Sequence, residues 1–127
     1  MTETKPANPA DPSGEALCAL VEATLDDGQG QKVQRFDVRH LTSMTDWMII
    51  ASGRSARHLR ALSDRLVEAA KEAGERPLGT EGEDSGDWVL VDLNGVIVHL
   101  MRAEIRELYQ LEKLWGIAPG QDAEPET

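Results

Sequence analysis

The sequence predicts a single small α/β domain, a mixed β-sheet with helices packed against it. Three observations carry this reading. Asn94-Gly95 separates two alternating apolar runs, and a type I′ hairpin needs positive φ at both central residues. Asp46 to Ser52 is a near-continuous apolar run, which suits a strand buried on both faces. A long amphipathic helix follows that strand and leads to further strands, so a crossover and some parallel pairing are expected.

The elements follow in order. Residues 15–27 read as a helix, with Leu17, Leu20, Val21 and Leu25 at helical spacing and Ser13 as the candidate cap. Gly28 and Gly30 end it. Residues 32–38 alternate loosely and read as a strand, and residues 46–52 form the buried strand. Ser55 to Ala73 is the long helix, with Leu59, Leu62, Leu66, Ala69 (or Ala70) and Ala73 on one face and Gly74 as its stop. The hairpin comes next, and a last helix runs from about Ala103 to Trp115. Ile105, Leu108, Leu111 (or Glu112) and Trp115 trace its stripe, with Tyr109 on the flank and Gly116 at the end. The expected order is α, β, β, α, β, β, α, which gives a two-layer or three-layer domain.

At 127 residues there is room for one domain with a real core. Residues 1–14 hold three prolines and no large aliphatic beyond Met1, and residues 117–127 are acidic. Both are expected to be disordered tails around a folded unit at 15–116. The net charge is −10, of which the tails carry −1 and −3, leaving about −6 on the folded part. That argues against general nucleic-acid binding, which leaves a basic footprint. It suits a basic protein partner, although many solvated surfaces are acidic. Cys18 is the single cysteine, so no disulfide forms within the chain, and its helical position reads as core. No apolar run is long enough to span a membrane and no signal-peptide core is visible, so the expected location is cytoplasmic.

The hairpin sets out two faces. Val89, Val91, Leu93, Val96, Val98 and Leu100 make one aliphatic face, the core side. Trp88, Leu90, Asp92, Ile97, His99 and Met101 make the other. This second face is either a second core layer under a helix or a patch for a partner, since Trp and Met are enriched at interfaces. The readings are compatible if Leu90 and Ile97 are covered and Trp88 and Met101 stand at the rim. Residues 77–101 also carry five acidic residues and no lysine or arginine.

Ser52-Gly53-Arg54-Ser55 joins the buried strand to the long helix, whose N-terminus favours anions. Arg54, Arg57, His58 and Arg60 crowd its first turns, where cations are disfavoured. A phosphate, an RNA backbone or an acidic segment would explain them. The simpler account is that Gly53 makes the turn, Ser55 caps and the arginines pair with carboxylates. No Gly-Lys-Ser/Thr ending is present, so this is not a P-loop. Asp37, Asp46 and Asp92 lie on or beside strands, but no Asp-x-Asp pair occurs on one strand to hold metal ions and phosphates. His40, His58 and His99 are not at zinc-ligand spacing. Neither a catalytic residue, nor a metal site, nor a cofactor is expected.

Several motifs recur in order over residues 15–116. They are Thr45-Asp46-Trp-Met-Ile-Ile-Ala-Ser-Gly53, Ser55-Ala-Arg-His58, Pro77-Leu-Gly79 with Glu81-Gly82-Glu83, Asp87-Trp88-Val-Leu-Val-Asp92, Val96-Ile-Val-His99-Leu-Met101 and Arg106-Glu-Leu-Tyr109-Gln-Leu111-Glu112-Lys-Leu-Trp115. Together they resemble the ribosomal silencing factor, or Iojap-like, family. The resemblance implies a nucleotidyltransferase-like α/β fold without known catalysis. It implies binding to the large ribosomal subunit through large-subunit ribosomal protein fourteen, a blocked intersubunit bridge, and repressed translation when nutrients are scarce. Organelle relatives are tied to large-subunit assembly.

On this reading Trp88, Leu90, Asp92, His99, Met101 and Tyr109 are the expected partner contacts. Trp88 is the anchor, and Glu81, Glu83 and Asp92 are charge partners. Ser52, Gly53, Ser55, Arg57 and His58 are the residues for any incidental ribosomal RNA contact. Two other readings stay in play: an enzyme that uses the Ser52–Ser55 loop, and a homodimer closed through the Trp88 face.

Overall fold

In the computed structural model, residues 14–41, 45–84 and 86–109 are described. The elements are α1 (Glu15–Asp27), β1 (Gln31–Asp37), β2 (Trp47–Gly53), α2 (Ala56–Glu72), β3 (Gly79–Glu81), β4 (Trp88–Asp92), β5 (Val96–Arg102) and α3 (Ala103–Tyr109). One five-stranded sheet runs in the order β1-β2-β5-β4-β3. β2 and β5 pair in parallel and every other neighbour is antiparallel. The mixed sheet follows from the chain order: α2 carries the chain back across the sheet, and tight or short connections make the antiparallel pairs.

The hairpin register agrees with the sequence expectation. Val89 pairs with Leu100, Val91 with Val98, and Trp88 with Met101. Asn94 and Gly95 take φ of 63° and 112°, and Leu93 N–H donates to the Val96 carbonyl at 2.9 Å. β2 is buried at every position. One sheet face, with Ile49, Ala51, Val89, Val91, Val98 and Leu100, packs under α1 and α2. From those helices come Leu17, Cys18, Val21, Leu25, Leu59, Leu62, Leu66 and Ala70. Cys18 is core, as expected.

Three details differ from the expectation. β3 is an additional edge strand. Its three residues lack an alternating pattern, and pairing with β4 defines it. Ala73 stands exposed at the α2 C-cap rather than on the buried stripe. Ser63, between Leu59 and Leu66 on that stripe, is fully buried instead. The expected cap Ser13, the last-helix residues Leu111, Glu112 and Trp115, and both tails except Gly14 lie outside the described residues.

α3 lies across part of the opposite sheet face. Phe36, Val38, Met48, Ile50 and Met101 form a second buried cluster there, with Ile105 of α3 and Trp88 packed against it. Arg106 fastens the helix. Its guanidinium donates to the Lys32 carbonyl at 2.7 Å, to Ser52 Oγ at 3.2 Å and to Gln34 Oε1 at 3.0 Å. This face is therefore fully buried at Phe36, Met48, Ile50 and Met101, while Trp88, Leu90, Ile97 and His99 on β4 and β5 stay half-buried.

Candidate functional site

The half-covered region is built from cross-strand rows. Glu81, Leu90, His99 and Ile50 lie in one row across β3, β4, β5 and β2. Gly79, Asp92, Ile97 and Met48 form the next row. Each row begins at an exposed edge strand, crosses half-buried positions and ends at a buried residue. Leu90, Ile97, His99 and Trp88 therefore form an apolar step, and Glu81 and Asp92 stand beside it.

The expected arrangement of this face is reversed in one respect. Met101 is fully buried, in the cluster with Phe36, Met48 and Ile50. It is core and not a surface contact. Leu90 and Ile97, expected to be covered, are the residues left half-buried. Alternation told which face each residue occupies but not how deeply each would be buried. Tyr109 is the last described residue of α3, and its side chain lies outside the described residues.

Trp88 is half-buried, and its indole Nε1–H donates to His99 Nδ1 at 3.0 Å. The two rings are 5.9 Å apart and tilted by 56°. Burial lowers the His99 pKa from 6.5 to about 4, so the imidazole is neutral at ordinary pH.

The acidic loop before Trp88 is held by its backbone. A Cβ on Gly82 (φ 90°) would lie 2.2 Å from the Trp88 carbonyl oxygen. One on Gly86 (φ 76°) would lie 2.6 Å from Ala56 Cβ. Both positions need glycine for the positive φ and for the close approach. Glu83 is drawn inward: Ser63 Oγ–H donates to its carboxylate at 3.4 Å, and Arg60 donates to its carbonyl at 3.2 Å. Asp92 Oδ1 accepts the Asn94 N–H at 3.0 Å and so also supports the turn. Of the expected charge partners, Glu81 is the exposed one. Asp87 was not singled out from sequence. It pairs with Arg102 at 2.6 Å at the open end of the hairpin.

In the Ser52–Ser55 loop the simpler account describes Gly53 and Ser55, while Arg54 and Arg60 reach Gln29 and the Glu83 carbonyl instead of carboxylates. Ser52 is buried, and its Oγ accepts from Arg106. Gly53 is needed because a Cβ there would lie 2.5 Å from Leu59 Cδ2. Ser55 caps α2 by accepting the His58 N–H at 3.1 Å. His58 Nδ1 accepts the Arg54 N–H at 2.9 Å, and Nε2 lies 2.9 Å from the Gly28 carbonyl. The Arg54 and His58 N–H groups are thus engaged within the loop, and His58 acts as a strut to the end of α1. Of the residues expected to touch RNA, Arg57 alone stands exposed without such a local task.

The model of the family described as "Ribosomal silencing factor during starvation" matches residues 11–127. The chain belongs to the ribosomal silencing factor family. Among its relatives, a ribosomal silencing factor of Haemophilus influenzae is 46% identical over 101 residues, spanning 80% of this chain and 99% of that protein. One from Bacillus subtilis is 32% identical over 108 residues, covering 85% of this chain and 92% of the relative. A mouse protein named for mitochondrial assembly of the ribosomal large subunit is 42% identical over 81 residues, 61% of this chain and 36% of that one. A crystal structure of a Chromobacterium violaceum protein superimposes with a TM-score of 0.78 at 34% identity, covering 87% of this chain and 98% of that one. Among the described residues, no helix is long and apolar enough to cross a membrane.

Proposed function

We propose that this member of the family silences ribosomes by docking on the large subunit through the open β4–β5 half of its sheet. The reading places it on large-subunit ribosomal protein fourteen, in the cytoplasm, where it blocks an intersubunit bridge and keeps the small subunit from joining. Translation is then repressed under nutrient limitation. The observation that carries the reading is the half-buried step of Trp88, Leu90, Ile97 and His99 beside Glu81 and Asp92, in a chain of this family. Ribosomal partners are basic, so the carboxylates speed the encounter, and burial of the aliphatic and indole surface lengthens residence.

The name of the mouse relative favours a second role in large-subunit assembly. The same docking face serves both roles. A closed homodimer through this face is the competing use of the same surface, and sedimentation over a concentration range would detect it.

The reading is tested by pelleting the protein with isolated large and small subunits. It predicts co-pelleting with the large subunit alone and reduced subunit joining measured by light scattering. Trp88→Ala should weaken docking by about 2 kcal/mol or more while the fold persists. Failure to pellet with either subunit would remove the ribosomal role as stated.

A further inference from the structure

The Trp88–His99 pair fixes more than a ring orientation. An indole N–H is a donor and never an acceptor. The His99 Nδ1 that receives it at 3.0 Å must therefore be unprotonated. In a neutral imidazole the proton then sits on Nε2. The His99 ring makes no other hydrogen bond among the described residues. It lies on the open half of the sheet face, between Leu90 on β4 and Ile50 on β2. The result is one N–H donor of defined position, set among aliphatic side chains beside the tryptophan.

We propose that His99 Nε2–H determines specificity at the docking face by recognising a neutral carbonyl oxygen on the ribosomal protein that docks there. The inference rests on the docking reading above. The surroundings choose the acceptor class. Glu81 and Asp92 lie on the same face, and Asp87 and Glu104 flank Arg102 at its open end. A carboxylate brought to His99 would meet like charge, and a cationic group has no acceptor to find on this ring. A main-chain carbonyl, or the carbonyl of an amide side chain, meets neither penalty. A docked partner without an acceptor there would leave a buried N–H unsatisfied, which costs more than the bond itself contributes. The pair therefore rejects wrong surfaces as well as holding the right one.

Two substitutions separate the two ring nitrogens. In His99→Asn the amide oxygen stands where Nδ1 was and accepts from Trp88, but nothing reaches the place of Nε2. In His99→Gln the amide extends to that place and restores a donor. Binding to purified large subunits would be measured for wild type, both variants and Trp88→Ala, with thermal melts as the control for folding. The expected result is a loss of about tenfold for His99→Asn at unchanged melting temperature, with recovery to within about threefold for His99→Gln. Wild-type binding by His99→Asn, or equal losses in both variants, would overturn the proposal. If Trp88→Ala also bound like wild type, the docking reading itself would fall. Nitrogen-15 spectra of the imidazole in the free wild-type protein test the premise without any variant. A protonated Nε2 and bare Nδ1 at pH 7 are expected, and the opposite tautomer would end the proposal.

Discussion

At the scale of the residue, His99 ties stability to pH. Burial lowers its pKa from 6.5 to about 4 in the fold. Between those values the unfolded chain holds a proton that the native ring does not. Stability therefore rises with pH from about 4 to 6.5 and is lost as pH falls through that window. The contribution is at most about 3 kcal/mol. Urea denaturation of wild type at pH 7 and pH 4.5 should show a larger loss than His99→Asn shows. Equal losses would mean that the ring does not titrate as its burial requires. Gly53→Ala is a second residue-scale case. The new methyl would meet Leu59 Cδ2 at 2.5 Å inside the core, so a destabilisation of about 1–3 kcal/mol is expected in the same experiment. Gly53 was legible in the sequence as a turn residue. The reason for it, a leucine pressed against its backbone, depends on where α2 lands and was not.

At the scale of the element, α3 is fastened to the second face through Ile105 and Arg106. Ile105 packs beside Met101, and Arg106 gathers Lys32, Gln34 and Ser52 from two strands. Arg106→Met removes these donors and leaves buried acceptors unsatisfied, so a loss of about 1–3 kcal/mol is expected. Earlier hydrogen exchange in α3 and β1 than in β4 and β5 would mark the released latch, and uniform exchange would contradict it. The hairpin could be read in advance because Asn94-Gly95 and strict alternation fix register locally. β2 could be read because a strand covered on both faces is apolar at nearly every position. β3 could not, since Gly79–Glu81 has no pattern of its own. The division of the second face was also hidden. Met101 and Leu90 look alike in sequence, and only the tertiary surroundings separate them. Ser63 was within reach, because its spacing from Leu59 and Leu66 places it on the buried stripe. Arg106 gave no such signal.

At the scale of the molecule, the sheet separates two surfaces with different tasks. α1 and α2 pack on one face, and the other is buried at Phe36, Met48, Ile50 and Met101 but only half-buried at Trp88, Leu90, Ile97 and His99. In the Ser52–Ser55 loop, Ser55 caps α2, Ser52 faces Arg106 and His58 takes the Arg54 N–H. Nucleotide with magnesium should therefore leave the melting temperature unchanged, and a rise would revive an enzymatic reading. Acidic side chains beside an apolar step also predict how salt acts on docking. Raising ionic strength should slow association far more than it speeds dissociation, because screening weakens the encounter while the buried contact persists. A purely dissociative effect in stopped-flow binding would count against this division of labour.

The central claim is that the open β4–β5 face, and not the helical face, meets the large subunit. A photo-crosslinking side chain placed at Leu90 and, separately, at Glu68 on the exposed side of α2 tests it most directly. The account predicts a crosslink to a large-subunit protein from position 90 and none from position 68. A crosslink from position 68 with none from position 90 would contradict it.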